Sequence, residues 1–164
     1  MVIAMQERTQ AHAWSVAATV TDPEIPVLTI EDLGVLRGVE VDGERAVVTL
    51  TPTYSGCPAM DVIRADIRSA LRTAGYPDAE VLTVLRPAWS TDDITPAGRA
   101  KLTAAGISPP HAVGAGPVPV RLAVRCPLCG SPDTEELSRF GSTACKALWR
   151  CRACAEPFDH VKAI

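Results

Sequence analysis

Aromatic residues are scarce in this 164-residue chain, at 4%. Its core must therefore be built from Val, Ile, Leu and Ala. Basic charge is also in short supply: 16 Lys and Arg against 19 Asp and Glu give a net charge of −3 and a pI near 5.6. A nucleic-acid binder needs a basic excess to meet phosphates, so a nucleic-acid partner is not expected. No apolar run reaches the ~18 residues that would span a bilayer. Met1 to Gln10 lacks the basic cluster and apolar stretch of an export signal. The expectation is a cytoplasmic protein with no membrane partner. A composition 47% hydrophobic and 21% charged excludes wholesale disorder.

The length fits one domain of about 100 residues plus a small module. A first helix is expected over about 7–20, with Ala11, Trp14, Ala17 and Ala18 on one face. Asp22-Pro23 ends it, because a residue before proline resists helical geometry. An irregular loop follows to Leu33. Strands are expected over 35–41 and 45–51, joined by the hairpin signal Asp42-Gly43. Pro58 to Ala74 is the clearest helix, since Met60, Ile63, Ile67 and Leu71 form one apolar stripe. A third strand is expected over 80–85, then a short helix capped by Thr95 and closed by Gly106.

This order predicts a small two-layer α/β domain over 1–108, with a three-stranded sheet and about three helices. Four prolines and two glycines between Ile107 and Pro119 make 109–119 a semi-rigid linker. A four-cysteine zinc β-ribbon would then occupy 120–164.

The ribbon rests on Cys126-Pro127-Leu128-Cys129 and Cys151-Arg152-Ala153-Cys154. A two-residue spacing lets both thiolates of a pair reach one ion from a tight turn. The 21 residues between the pairs are enough for a hairpin to bring them together. Four thiolates make a closed tetrahedral site, which is structural rather than catalytic. Zinc is the favoured metal, although thiolates also hold iron and iron–sulfur clusters. Such a short module needs the metal to fold. Cys145 is read as a small buried residue or as an extra thiol near the metal. His160 is read as a solvated residue near the chain end, with a replacement metal ligand as the alternative.

Cys57 stands apart, in Thr53-Tyr54-Ser55-Gly56-Cys57-Pro58, between a strand end and a helix start. There the helix dipole would lower the thiol pKa. Gly56 permits the sharp turn and Pro58 fixes the helix entry. The alternative is a small residue that only fills the strand–helix junction. No His lies nearby in sequence, so a cysteine–histidine dyad has no obvious partner. A thiol beside carboxylates such as Asp22 and Glu24 suits transient metal handling better than acyl transfer.

Several segments together resemble a known family. These are Asp22-Pro23-Glu24-Ile25-Pro26, Asp32-Leu33-Gly34, Leu50-Thr51-Pro52-Thr53, Gly56-Cys57-Pro58, and Trp89 with Asp92. Across about 10–108 they are similar to the SufT-like iron–sulfur cluster assembly family. With the ribbon sequence Phe140 to Cys151, the chain resembles the subgroup that serves as accessory subunit to the phenylacetyl-CoA ring epoxidase. That resemblance implies a non-catalytic maturation subunit in aerobic phenylacetate breakdown, assisting an iron–sulfur or di-iron centre. It implies Asp22, Thr53 and Cys57 as the cluster- or iron-handling group, and Cys126, Cys129, Cys151 and Cys154 as metal ligands. It also implies a structural zinc, a transient iron or iron–sulfur cargo, and the oxygenase and reductase subunits as partners. The alternatives are a general iron–sulfur maturation factor and a zinc-ribbon binding module.

Overall fold

The computed structural model describes residues 8–114 and 123–164. The beginning of the expected first helix, the stretch before it and the end of the expected linker fall outside these residues. The chain divides into two compact units, Met1–Trp89 and Ser90–Ile164. The reading from sequence carried the first domain to residue 108; the compact units divide earlier, so the short helix after Thr95 counts with the second.

The first unit begins with α1, Gln10–Ala17, capped by Thr9, whose hydroxyl accepts the His12 amide at 3.1 Å. Of the expected face Ala17 and Ala18 are buried, together with Ala13, while Ala11 is exposed and Trp14 only half-buried. Trp14 turns outward and its indole N–H donates to Glu31 at 2.8 Å. His12 meets the Tyr76 hydroxyl at 3.0 Å. The loop after α1 is irregular but not peripheral. Ile25, Leu28, Ile30 and Leu33 are all buried, and a bridge from Thr21 to Thr29 closes it.

The sheet of this unit contains β1 (Leu36–Asp42), β2 (Arg45–Leu50) and β3 (Asp78–Thr83), in that spatial order. β1 and β2 are antiparallel; their last pair is Asp42 with Arg45. The turn is therefore Gly43-Glu44, with Gly43 at φ +60°, a conformation glycine adopts without steric cost. β3 lies parallel to β2 and pairs Asp78 with Arg45 through Thr83 with Leu50. It starts two residues before the expected 80–85, because its register follows the length of β2.

Between β2 and β3 runs α2, Ala59–Thr73. Its expected stripe is all in the core: Met60, Ile63, Ile67 and Leu71 are buried. Gly75, at φ +95°, follows its end. This crossover places the N-terminus of α2 at the end of the sheet where β2 finishes.

The second unit opens with a 3-10 turn, Thr91–Asp93, and α3, Pro96–Ala104. Thr95 caps α3 by accepting the Gly98 amide at 3.0 Å, and Pro96 takes the first helical position. Then come β4 (Thr134–Ser138), β5 (Lys146–Cys151) and β6 (Pro157–Val161), an antiparallel sheet in that order. Trp149, Phe158, Ala147, Cys126 and Cys151 form its core. Ser108 adds an edge: its amide donates to Asp159 and its carbonyl accepts from Val161. No helix among the described residues is long and apolar enough to cross a membrane.

Candidate metal centre and cysteine loop

The four ribbon cysteines converge. Cys126 and Cys129 lie on the turn before β4; Cys151 ends β5 and Cys154 sits on the turn into β6. All four sulfurs lie within 4.8 Å of one another. Cys126 and Cys154 are 3.8 Å apart, Cys129 and Cys151 3.5 Å. An ion with four thiolates at ~2.3 Å in a tetrahedron spaces its sulfurs by about 3.8 Å. The donor set and its spacing thus fit one four-coordinate metal ion.

The amides support the same reading. The Cys154 N–H points to the Cys151 sulfur at 3.5 Å and holds that thiol down to about 7. The Glu156 amide pulls Cys154 downward, but burial and the three neighbouring sulfurs push it up to about 12. The Ser131 amide, and more weakly Cys154, pull Cys129 downward, but the Cys151 and Cys126 sulfurs and burial together leave it raised. Four sulfurs this close cannot all ionise without a cation among them.

Cys145 is not part of this group. It is half-buried, and its sulfur lies 3.1 Å from the Thr143 hydroxyl. His160 differs from its expected solvated position. It is buried, its Nδ1 sits 3.2 Å from the Ser108 carbonyl oxygen, and its ring meets Trp149 edge-on. It points inward because it shares a strand face with Phe158, two residues away.

Cys57 is half-buried on the turn between β2 and α2. Its amide donates to Tyr54 at 3.3 Å and its carbonyl accepts from Met60 at 3.2 Å. Gly56, at φ +85°, makes the turn. The structure brings Thr53, Asp22 and Glu24 to this sulfur. The thiol is nevertheless raised, not lowered as the helix dipole alone would have it. Burial is the largest cause, and the Glu24 and Asp22 charges add to it. The Ala59 amide and the Thr53 hydroxyl stabilise the thiolate but do not prevail. Cys57 is thus a protonated thiol at rest.

Asp22 is buried, with one oxygen accepting the Glu24 and Ile25 amides at 2.8 Å each. It therefore fixes the loop and presents its charge to Cys57. Asp32 accepts the Thr29 amide and hydroxyl. The Trp89 indole N–H donates to the Leu33 carbonyl at 2.7 Å. These bonds hold the strap between α1 and β1. In the other unit, Asp92 accepts the Val113 and Gly114 amides.

Comparisons with known proteins match both parts of the chain. The family described as "Iron-sulfur cluster assembly protein" matches residues 12–84, and "PaaD zinc beta ribbon domain" matches 113–162. The chain is 50% identical to a putative 1,2-phenylacetyl-CoA epoxidase component of Escherichia coli (strain K12), over 94% of each chain. It is 38% identical to the "Fe-S protein maturation auxiliary factor" of Porphyromonas gingivalis, over 45% of this chain and 71% of that one. A solved "Domain of Unknown Function DUF59" from Bacillus anthracis superposes with a TM-score of 0.53 at 28% identity, covering 57% of this chain and 90% of that one. The chain belongs to the PaaD family, in which an iron–sulfur cluster assembly domain precedes a zinc β-ribbon.

Proposed function

We propose that this protein is a non-catalytic maturation subunit of the multicomponent phenylacetyl-CoA 1,2-epoxidase. In this reading it works in the cytoplasm and assists assembly of an iron–sulfur or di-iron centre in the oxygenase or reductase subunit. Its ribbon holds a structural zinc at Cys126, Cys129, Cys151 and Cys154. The family membership supports an accessory role. The observation that carries the reading is the set of donors around Cys57: one thiol, the Thr53 hydroxyl, and the charges of Asp22 and Glu24.

The chemistry follows from the resting state. A protonated, half-buried thiol resists adventitious oxidation and alkylation, because the thiolate is the reactive form. An arriving iron ion or cluster is the cargo. Its positive charge reverses the electrostatic balance: the carboxylates that disfavour a bare thiolate favour the cation. Cys57 then gives up its proton and supplies sulfur. Asp22, already fixed by two amides, supplies negative charge without moving. Thr53 donates to the sulfur and steadies it. A single thiolate is a weak holder, so the cargo is readily passed on.

A closed four-thiolate ribbon leaves no position for substrate. It stiffens the second unit, which provides the docking surface for the epoxidase subunits. The likeness of the first unit to a maturation auxiliary factor favours a second reading, a general factor with many clients. The two differ in client range. The test is a strain lacking this protein. Wild type should restore epoxidase activity, and Cys57→Ala, folded and metal-loaded, should not. Restoration by the variant would remove the thiol from the function. Loss of unrelated iron–sulfur enzyme activities in the same strain would favour the general factor.

A further inference from the structure

The second unit contains a cavity of about 820 Å³, within the size range of small-molecule sites. Strand alternation decides what faces it. Glu136 pairs with Trp149 and Ala147 pairs with His160. These four therefore share one face of the β4–β5–β6 sheet, and all four line the cavity. Pro109 and Pro110, which follow the Ser108 bridge to β6, also line it, as do Val124 and Pro127, adding apolar wall.

The polar groups are few and placed. His160 is 7% exposed, and its Nδ1 lies 3.2 Å from the Ser108 carbonyl. A carbonyl only accepts, so Nδ1 carries the proton and a neutral ring leaves Nε2 as an acceptor. Among the described residues Nε2 has no hydrogen-bond partner. Three cations, Arg125, Arg139 and Lys162, border the cavity against one carboxylate, Glu136. That excess stands out in a chain whose net charge is −3. The Lys162 ammonium is held by the Arg139 carbonyl at 3.2 Å and lies over the Phe140 ring. The site thus offers apolar walls, a cationic rim, the His160 Nε2 acceptor and the buried Trp149 indole N–H, unpartnered among the described residues.

We propose that this cavity binds a small organic anion with an apolar acyl or aryl body, the body against Trp149 and the prolines and the anion at the rim cations. The choice of a phenylacetyl body rests on the function proposed above; the class of ligand rests on the cavity. Such a site would let the protein register the pathway's substrate, either as free acid or as its thioester.

Titration calorimetry on the full, metal-loaded chain tests this, with phenylacetate, coenzyme A and phenylacetyl-CoA as probes. Saturable one-to-one binding of an acyl probe is expected. Equal affinity for acid and thioester would identify the free acid as ligand; tighter thioester binding would identify the thioester. Lys162→Glu should weaken binding at least tenfold with metal content unchanged. His160→Gln should weaken it while preserving the fold, checked by circular dichroism. The proposal is overturned by no saturable binding of either acyl probe. It is equally overturned by coenzyme A alone binding as tightly as the thioester, or by unchanged affinity in Lys162→Glu. A chain that binds an acyl probe but does not support epoxidase activity keeps the site and loses the epoxidase reading. A chain that supports activity but binds no probe loses the site alone.

Discussion

Asp22 holds the amide of Glu24 at 2.8 Å, and that one turn sets the charge around Cys57. The loop carries two carboxylates to a sulfur more than thirty residues away. Both raise the thiol, on top of burial. The thiol is protonated at neutral pH, and in the function proposed above cargo rather than bulk pH ionises it.

Slow alkylation is the first expected consequence. Cys57 should react with iodoacetamide more slowly than an unstructured cysteine at pH 8, and its rate should still be rising above pH 9. Glu24→Gln removes one charge that raises the thiol, so the pKa falls and the rate at pH 8 increases. Each unit of decrease gives about tenfold more thiolate well below the pKa. Mass spectrometry of the Cys57 peptide in the metal-loaded protein reads both rates. A slower rate in Glu24→Gln would contradict the electrostatic account.

Metal content tests the ribbon. Cys126→Ser should lose the bound ion, measured by elemental analysis, and the β4–β5–β6 signals should disperse less in an NMR spectrum. Structural sites of this kind contribute on the order of 10 kcal/mol of folding free energy, so loss of one thiolate should not be tolerated. An unchanged metal-to-protein ratio would mean that another residue ligates.

Proton release follows from the thiol states. At pH 7, Cys129 and Cys154 are held above their ordinary value and are protonated, whereas Cys151, at about 7, is half ionised. Metal loading must deprotonate all of them. Calorimetry in buffers of different ionisation enthalpy should therefore show at least two protons released per ion at pH 7. Because protons compete with the ion, affinity should fall as pH falls. Fewer than two would mean that the thiolates are already formed before the ion arrives.

Core packing sets the stability of the first unit. Ile67 and Leu71 are fully buried on α2. Ile67→Ala should cost about 2–5 kcal/mol through lost transfer energy and a residual cavity, read as a lower denaturant midpoint with an unchanged slope. An exposed change on the same helix, Asp66→Ala, should cost well under 1 kcal/mol.

Some of this was legible in the residues and some was not. The stripe of α2 was, because a helical period over fifteen residues leaves little choice of face. The paired cysteines were, because a two-residue spacing constrains both sulfurs locally. The buried face of α1 was legible only in part: Ala17 and Ala18 are in the core as expected, but the face is mostly alanine, and Trp14 finds Glu31 rather than the core. The state of Cys57 was misread because the helix terminus is local and visible, while burial and the Asp22–Glu24 turn arrive from elsewhere in the fold. His160 was read as solvated for the same reason. Its burial depends on the Ser108 segment, which the sequence separates from it by fifty-two positions.

The most direct test concerns the iron itself. The oxygenase and reductase subunits should be purified from cells carrying the wild-type protein, Cys57→Ala, or neither. Iron and acid-labile sulfide are then measured in each preparation. The expected result is full loading with wild type and a deficit in one of the two proteins with the variant, matching that in cells without the wild-type chain. Equal iron and sulfide in all three preparations would contradict a role for Cys57 in delivering metal.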